Sequence, residues 1–188
     1  MPIAKDFVFF GRLSLDFAHT GDMGYGPRFE RLKSPADLNR WLSLSPLRLP
    51  PLRISDVEME EAKILRRAIW RVASAVVAGT TAAKLDVQRI NLAARQPALV
   101  AQLARDKKSM RWHSPTLSAA LATLAADAIR LFGDATQRTR IRRCENSGCQ
   151  TIFYDDSRPG IRRWCAPNRC GDRMRAKVYR QRKSREHS

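Results

Sequence analysis

The chain has 188 residues and a mass of 21.4 kDa, and its 44% hydrophobic content is enough for a real core, which excludes a disordered basic tail. Its formal charge of +17 and pI near 10.9 call for a polyanionic partner: DNA, RNA or, less often, an anionic membrane surface. No stretch approaches the ~18 uninterrupted apolar residues of a membrane span, and Phe7-Val8-Phe9-Phe10 is cut by Arg12 and Asp16 too soon for a secretory signal core, so a cytoplasmic protein with no membrane partner is expected.

In chain order, Ser34 reads as the N-cap of a short helix over residues 34–44, with Pro35 at its first position, Asp37 at its third, and Leu38, Trp41 and Leu42 on one face. The Pro-rich stretch Ser45 to Pro51 is a rigid connector. Ser55 then opens the longest helix, with Glu58 completing a capping box. Its apolar face runs Ile64, Leu65, Ala68, Ile69, Val72, Ala73 and Val76, and Gly79 ends it. A further helix is expected from Ala83 to Arg95. Leu99–Leu103 and Met110–His113 read as two short strands around the polar turn Asp106–Ser109. Ser114-Pro115 starts another strong helix through Leu117, Leu121, Leu124, Ala128 and Leu131, which ends at Gly133. The core is expected to gather Leu15, Phe17, Leu38, Trp41, Ile64, Leu65, Ile69, Val72, Leu121, Leu124 and Leu131.

The composition changes from about Thr136. Residues 138–188 hold 15 of the 35 Lys and Arg but only 5 of the 18 Asp and Glu, a net of +10. Thr139–Arg142 and Thr151–Tyr154 have strand character and form a small hairpin, and Arg173 to Arg185 reads as a helix charged almost all round. Such a helix has to be anchored at its start and by Met174, Val178 or Tyr179 packing on the hairpin. The fold class is therefore mainly α with small β elements: a helical N-terminal domain over 1–135 and a small module of hairpin and helix over 136–188.

All four cysteines lie in this second part, as Cys144-x4-Cys149 and Cys165-x4-Cys170 with fifteen residues between the pairs. Two close pairs on a short connector supply the four thiolates of a tetrahedral zinc site. Thiols stay reduced in the cytosol, which favours metal over disulfides. With all four positions filled by sulfur, one structural zinc is expected; free buried thiols, a redox pair or an iron–sulfur cluster are the alternatives. About fifty residues with few large apolar side chains also need such a staple in order to fold.

Arg162, Arg163, Arg169, Arg173, Arg175, Lys177, Arg180 and Arg182 surround the cysteines and are the candidates for nucleic-acid binding. Arg173, Lys177 and Arg180 share one helix face, and Arg175 and Arg182 line another. Guanidinium groups clamp phosphates and can read guanine edges. Trp164 and Phe153 read as packing residues. His113 and His187 suggest no site, which leaves His19, between Asp16 and Asp22, as the only candidate for a polar ligand pocket. No triad, phosphate loop or paired-carboxylate pattern stands out, so no catalytic residues and no enzyme activity are expected.

Two segments resemble a known family. Arg162-Arg163-Trp164-Cys165, followed by Cys170-Gly171-Asp172-Arg173 and an arginine-rich helix, is similar to the CGNR zinc finger. Leu13-Ser14-Leu15-Asp16-Phe17-Ala18-His19-Thr20 resembles the "LDFxNT" opening of the ABATE domain, which accompanies that finger in bacterial proteins. Two positions depart from the motifs: Asp172 and His19 stand where each has Asn. The resemblance implies a bacterial, stress-responsive transcription regulator, with DNA bound by the finger and a helical domain that senses a small-molecule signal or forms a homodimer. An RNA-binding or ribosome-associated protein is the main alternative, since RNA is equally polyanionic. A ligand-binding or enzymatic N-terminal domain is a third class, which a pocket converging on Asp16, His19 and Asp22 would favour.

Overall fold

The computed structural model describes residues 7–23, 29–149 and 151–186; His187 lies outside them. The first element among the described residues is a six-residue helix, α1 (Leu13–Ala18), which no sequence pattern announced. Arg12, at its N-cap position, offers no side-chain cap. Instead Asp127, more than a hundred residues away, accepts the Ser14 N–H at 2.9 Å and pairs with Arg12 at 3.1 Å. Tertiary contacts, not local propensity, therefore hold this turn in place.

Helix α2 (Pro35–Leu44) and the long α3 (Asp56–Ala78) both begin with the expected capping boxes, Ser34 with Asp37 and Ser55 with Glu58. Gly79 closes α3 in the left-handed conformation, φ 67°, which glycine adopts without a Cβ clash. Helix α4 (Lys84–Ala94) leads to the antiparallel hairpin β1 (Val100–Leu103) and β2 (Met110–His113), paired Val100 to His113 and Leu103 to Met110. The hairpin is fastened by its Trp112 indole N–H, which donates to the Leu47 carbonyl at 2.5 Å.

Helix α5 (Leu117–Gly133) starts two residues later than Ser114-Pro115 suggested. Its cap is Thr116, whose hydroxyl accepts the Ala119 N–H at 3.1 Å. Ser114 precedes a proline and has φ 40°, so it cannot feed directly into a helix. A short helix α6 (Ala135–Arg138) occupies the compositional break.

The main core lies between α1, α2, α3, α4 and α5. Trp41 is fully buried at its centre, 5.0 Å ring to ring from Phe17. Every expected core residue is buried except Ile64, which is half-buried. A second apolar cluster joins Leu15, Ala73 and Leu131 of the N-terminal helices to Ile141 and Ile152 of the C-terminal hairpin, β3 (Ile141–Arg143) with β4 (Ile152–Tyr154). The change of composition near residue 136 is thus not a gap in packing.

Candidate metal centre and nucleic-acid interface

The hairpin pairs Ile141 with Tyr154 and Arg143 with Ile152, and this register throws the chain into the first cysteine knuckle. The Cys144 N–H donates to the Thr151 carbonyl at 2.9 Å, and the Cys149 N–H to the Asn146 carbonyl at 2.7 Å. The second knuckle is a single π-helical turn, Pro167–Gly171, in which the Ala166 carbonyl accepts the N–H groups of Arg169, Cys170 and Gly171. The Glu145 N–H bonds the Arg163 carbonyl at 3.0 Å and ties the two knuckles together.

All four sulfurs lie within 4.8 Å of one another, with Cys149 to Cys165 at 3.8 Å and Cys165 to Cys170 at 3.7 Å. Zinc–sulfur bonds of about 2.3 Å in a tetrahedron put neighbouring sulfurs about 3.8 Å apart, so the donor set fits a zinc ion. Cys144, Cys165 and Cys170 are buried and Cys149 is half-buried. Proton competition among such close groups is severe: hydrogen bonding to Cys165 pulls the Cys149 thiol below its usual range, while the same contact pushes Cys165 up and burial raises Cys170. A divalent cation removes that conflict by taking all four as thiolates. The centre is one structural zinc held by Cys144, Cys149, Cys165 and Cys170. Phe153, fully buried, and Trp164 pack against it as expected.

Sequence reasoning missed Asp155. Its buried carboxylate accepts the Ser157 N–H and hydroxyl and the Arg162 N–H, the last at 2.7 Å, and lies 3.4 Å from Arg142. Burial works against its charge, but these hydrogen bonds and the nearby Arg162 hold its pKa below the ordinary carboxylate value. Asp155 thereby folds the connector so that the second cysteine pair meets the first.

The arginines divide into two groups. Arg162 donates to Asp156 and to the Tyr154 carbonyl and sits 4.7 Å from the Phe153 ring centroid, so it supports the fold. Arg163 pairs with Glu145 at 2.6 Å and lies 5.0 Å from the Trp164 centroid. Arg140 and Arg142 are bound to carbonyls of the 155–160 turn. In the last helix, α7 (Asp172–Glu186), Arg175 pairs with Asp172 one turn before it. The other candidates, Arg169, Arg173, Lys177, Arg180 and Arg182, are exposed and have no acidic partner among the described residues.

Of the three anchors expected for α7, Met174 is half-buried, whereas Val178 and Tyr179 are exposed at 43% and 68%. Most residues of α7 are exposed, because they are too polar to repay burial.

The structure does not bring Asp16, His19 and Asp22 to one cavity. Asp16 is fully buried and accepts the Phe10 N–H at 2.5 Å, while Asp22 is exposed. Desolvation, with a smaller contribution from Asp127, raises the Asp16 carboxyl to about pKa 7. The His19 ring lies between Phe10 and Trp70, with Nε2 2.6 Å from the Ile152 carbonyl. A carbonyl can only accept, so Nε2 carries the proton. Burial lowers the His19 pKa to about 4 and keeps the ring neutral. His19 thus ties the end of α1 to β4. Beside it is a cavity of about 280 Å³, lined among others by Phe10, His19, Phe29, Cys149, Arg169 and Arg173.

Two family models match the chain. The ABATE model, described as "Putative stress-induced transcription regulator", covers residues 11–135, and the CGNR zinc finger model covers residues 140–183. A search of curated proteins gives no match.

Proposed function

The chain belongs to the ABATE family and carries a CGNR zinc finger, and from these together we propose that it is a DNA-binding transcription regulator of the bacterial cytoplasm, acting in stress responses. The observation that carries the proposal is the set of exposed cations without acidic partners on α7 and the π-helical turn, in a chain of charge +17. Arg173, Lys177 and Arg180 share one face of a helix whose cations are exposed along its length. A bare helix with its side chains is about 10–12 Å wide, which suits the major groove of duplex DNA.

The zinc supplies a structural cross-link, since four thiolates leave no open position for a substrate. It holds the start of α7 against the hairpin. Arg169 and Arg173 then lie at the base of the helix, with Lys177 and Arg180 one and two turns further along. Phosphate neutralisation provides most of the affinity in this arrangement, and base contacts add selectivity. Asp172 does not oppose a phosphate as a free charge, because Arg175 already pairs with it. The N-terminal domain, residues 1–135, receives the signal or joins two copies, and the shared cluster of Leu15, Ala73, Leu131, Ile141 and Ile152 couples it to the finger.

Competition of duplex DNA, duplex RNA and single strands for the zinc-loaded protein at fixed salt tests the proposal. Duplex DNA is expected to bind tightest, and selection from genomic fragments is expected to enrich a common site. Preference for RNA would reassign the finger to an RNA-binding protein, and equal weak binding of all three would refute sequence-directed regulation.

A further inference from the structure

We propose that Cys149 is a reaction site for small planar electrophiles of the α,β-unsaturated carbonyl class, quinones included, which enter through the cavity between the N-terminal segment and the finger. The inference uses the four cysteines as zinc ligands but does not depend on nucleic-acid binding. Three features converge on that cavity.

The first is the nucleophile. Cys149, Cys165 and Cys170 all line the cavity, yet Cys165 and Cys170 are under a tenth exposed, and Cys144 is buried and not on its wall. Cys149 alone is half-buried, and its Sγ lies 3.2 Å from the Thr151 hydroxyl, which can donate to the thiolate. The opening is larger than the metal's own space. Sulfurs 3.7 and 3.8 Å apart leave room between them for one ion, whereas the cavity measures about 280 Å³.

The second is the shape and character of the walls. Val8, Phe10, Phe29 and the neutral His19 ring present apolar and aromatic surface to a flat organic body. The third is charge. Arg169 and Arg173 lie on the same cavity, and neither has an acidic partner among the described residues. Guanidinium groups so placed stabilise negative charge that develops on an oxygen during reaction.

The step balances without an oxidant. The Cys149 Sγ lone pair attacks the β-carbon and forms a C–S bond. The C=C π pair shifts, the carbonyl oxygen becomes an enolate beside Arg169 and Arg173, and water returns a proton to it. There is no leaving group. Alkylation turns an anionic thiolate ligand into a neutral thioether, which leaves three thiolates to hold the ion and loosens the knuckle that positions α7.

The test uses the full-length zinc-loaded protein and N-ethylmaleimide at less than one equivalent, with peptide mass mapping at short times and a chromogenic chelator to follow zinc. The first adduct is expected on Cys149, about tenfold faster than on Cys144, with zinc released in step with it. A polymer-linked maleimide, too large for the cavity, should react about tenfold more slowly at Cys149. Arg173→Ala should slow the small reagent several-fold at Cys149. The proposal is overturned if adducts spread evenly over the four cysteines, if another cysteine reacts first, if the bulky reagent reacts as fast as the small one, or if the loaded protein does not react.

Discussion

The environment of Asp16 works against the charge that its carboxylate ordinarily carries. One carboxylate oxygen accepts the Phe10 N–H, and the other is buried with no hydrogen-bond partner among the described residues. Burial raises its pKa from 3.8 to about 7, so the folded protein holds this proton more tightly than the unfolded chain does. The stability contribution is therefore complete below about pH 4 and is lost as pH rises through 7, on the order of a few kcal/mol in all. Asp16→Asn keeps an acceptor for Phe10 and has no charge to bury. Its urea midpoint should stay nearly level from pH 4 to 8 while that of the parent falls. Parallel curves for the two proteins would place the sensitivity elsewhere. A second residue-scale expectation concerns Arg66, 2% exposed and bonded to Glu30 and Thr20. Glu30→Ala strands a buried guanidinium and should cost roughly 3 kcal/mol or more in denaturant unfolding; a loss under about 1 kcal/mol would mean that water reaches the group.

At the scale of elements, most helix starts obey local rules. Ser34, Ser55 and Thr116 each cap with a side-chain oxygen, and the amphipathic faces that follow them meet in the core. Helix α7 obeys a different rule, because apart from Met174, Val178 and Tyr179 little in its composition rewards burial, and its cations stay exposed. If Arg173 and Arg180 each contact a phosphate, replacing both by Ala should flatten the log–log salt dependence of DNA binding by about two units, since each contact contributes about 0.9. Affinity should fall by a similar factor for unrelated sequences if they act as phosphate clamps, and selectively at a preferred site if they read bases. An unchanged slope in the double variant would remove Arg173 and Arg180 from the interface and direct attention to Arg169 and Arg182.

At the scale of the whole molecule, the zinc and the helical core support each other. Ile141 and Ile152 cover Leu15, Ala73 and Leu131, and the His19 ring bonds the β4 backbone. Chelation of the zinc, or Cys165→Ser, should unravel residues 138–188 and also lower the melting temperature of the N-terminal helices by several degrees, read as loss of helical circular dichroism. Residues 1–136 expressed alone should still unfold cooperatively, because the main core lies within them, but at the lower temperature of the chelated protein. A helical transition identical with and without zinc would contradict the coupling and make the two parts energetically independent.

The Ser34 and Ser55 caps, the amphipathic faces, the β1–β2 and β3–β4 hairpins and the four zinc ligands were legible in the chain itself, because each depends on residues within a few turns of one another or on a fixed cysteine spacing, whereas the α5 cap fell on Thr116 instead of Ser114. Tertiary structure alone decided that α1 is capped by Asp127, that His19 reaches the Ile152 carbonyl, that Asp16 is buried away from Asp22, and that Asp155 organises the connector. It also divided the arginines, sending Arg162 to Asp156 and the Tyr154 carbonyl while leaving Arg173 and Arg180 without acidic partners among the described residues. The reason is common to these cases. A charged or polar side chain takes the partner that the fold brings within hydrogen-bond reach, and partners such as Asp156 for Arg162 and the Ile152 carbonyl for His19 lie six and 133 positions away, with no periodic pattern to announce them.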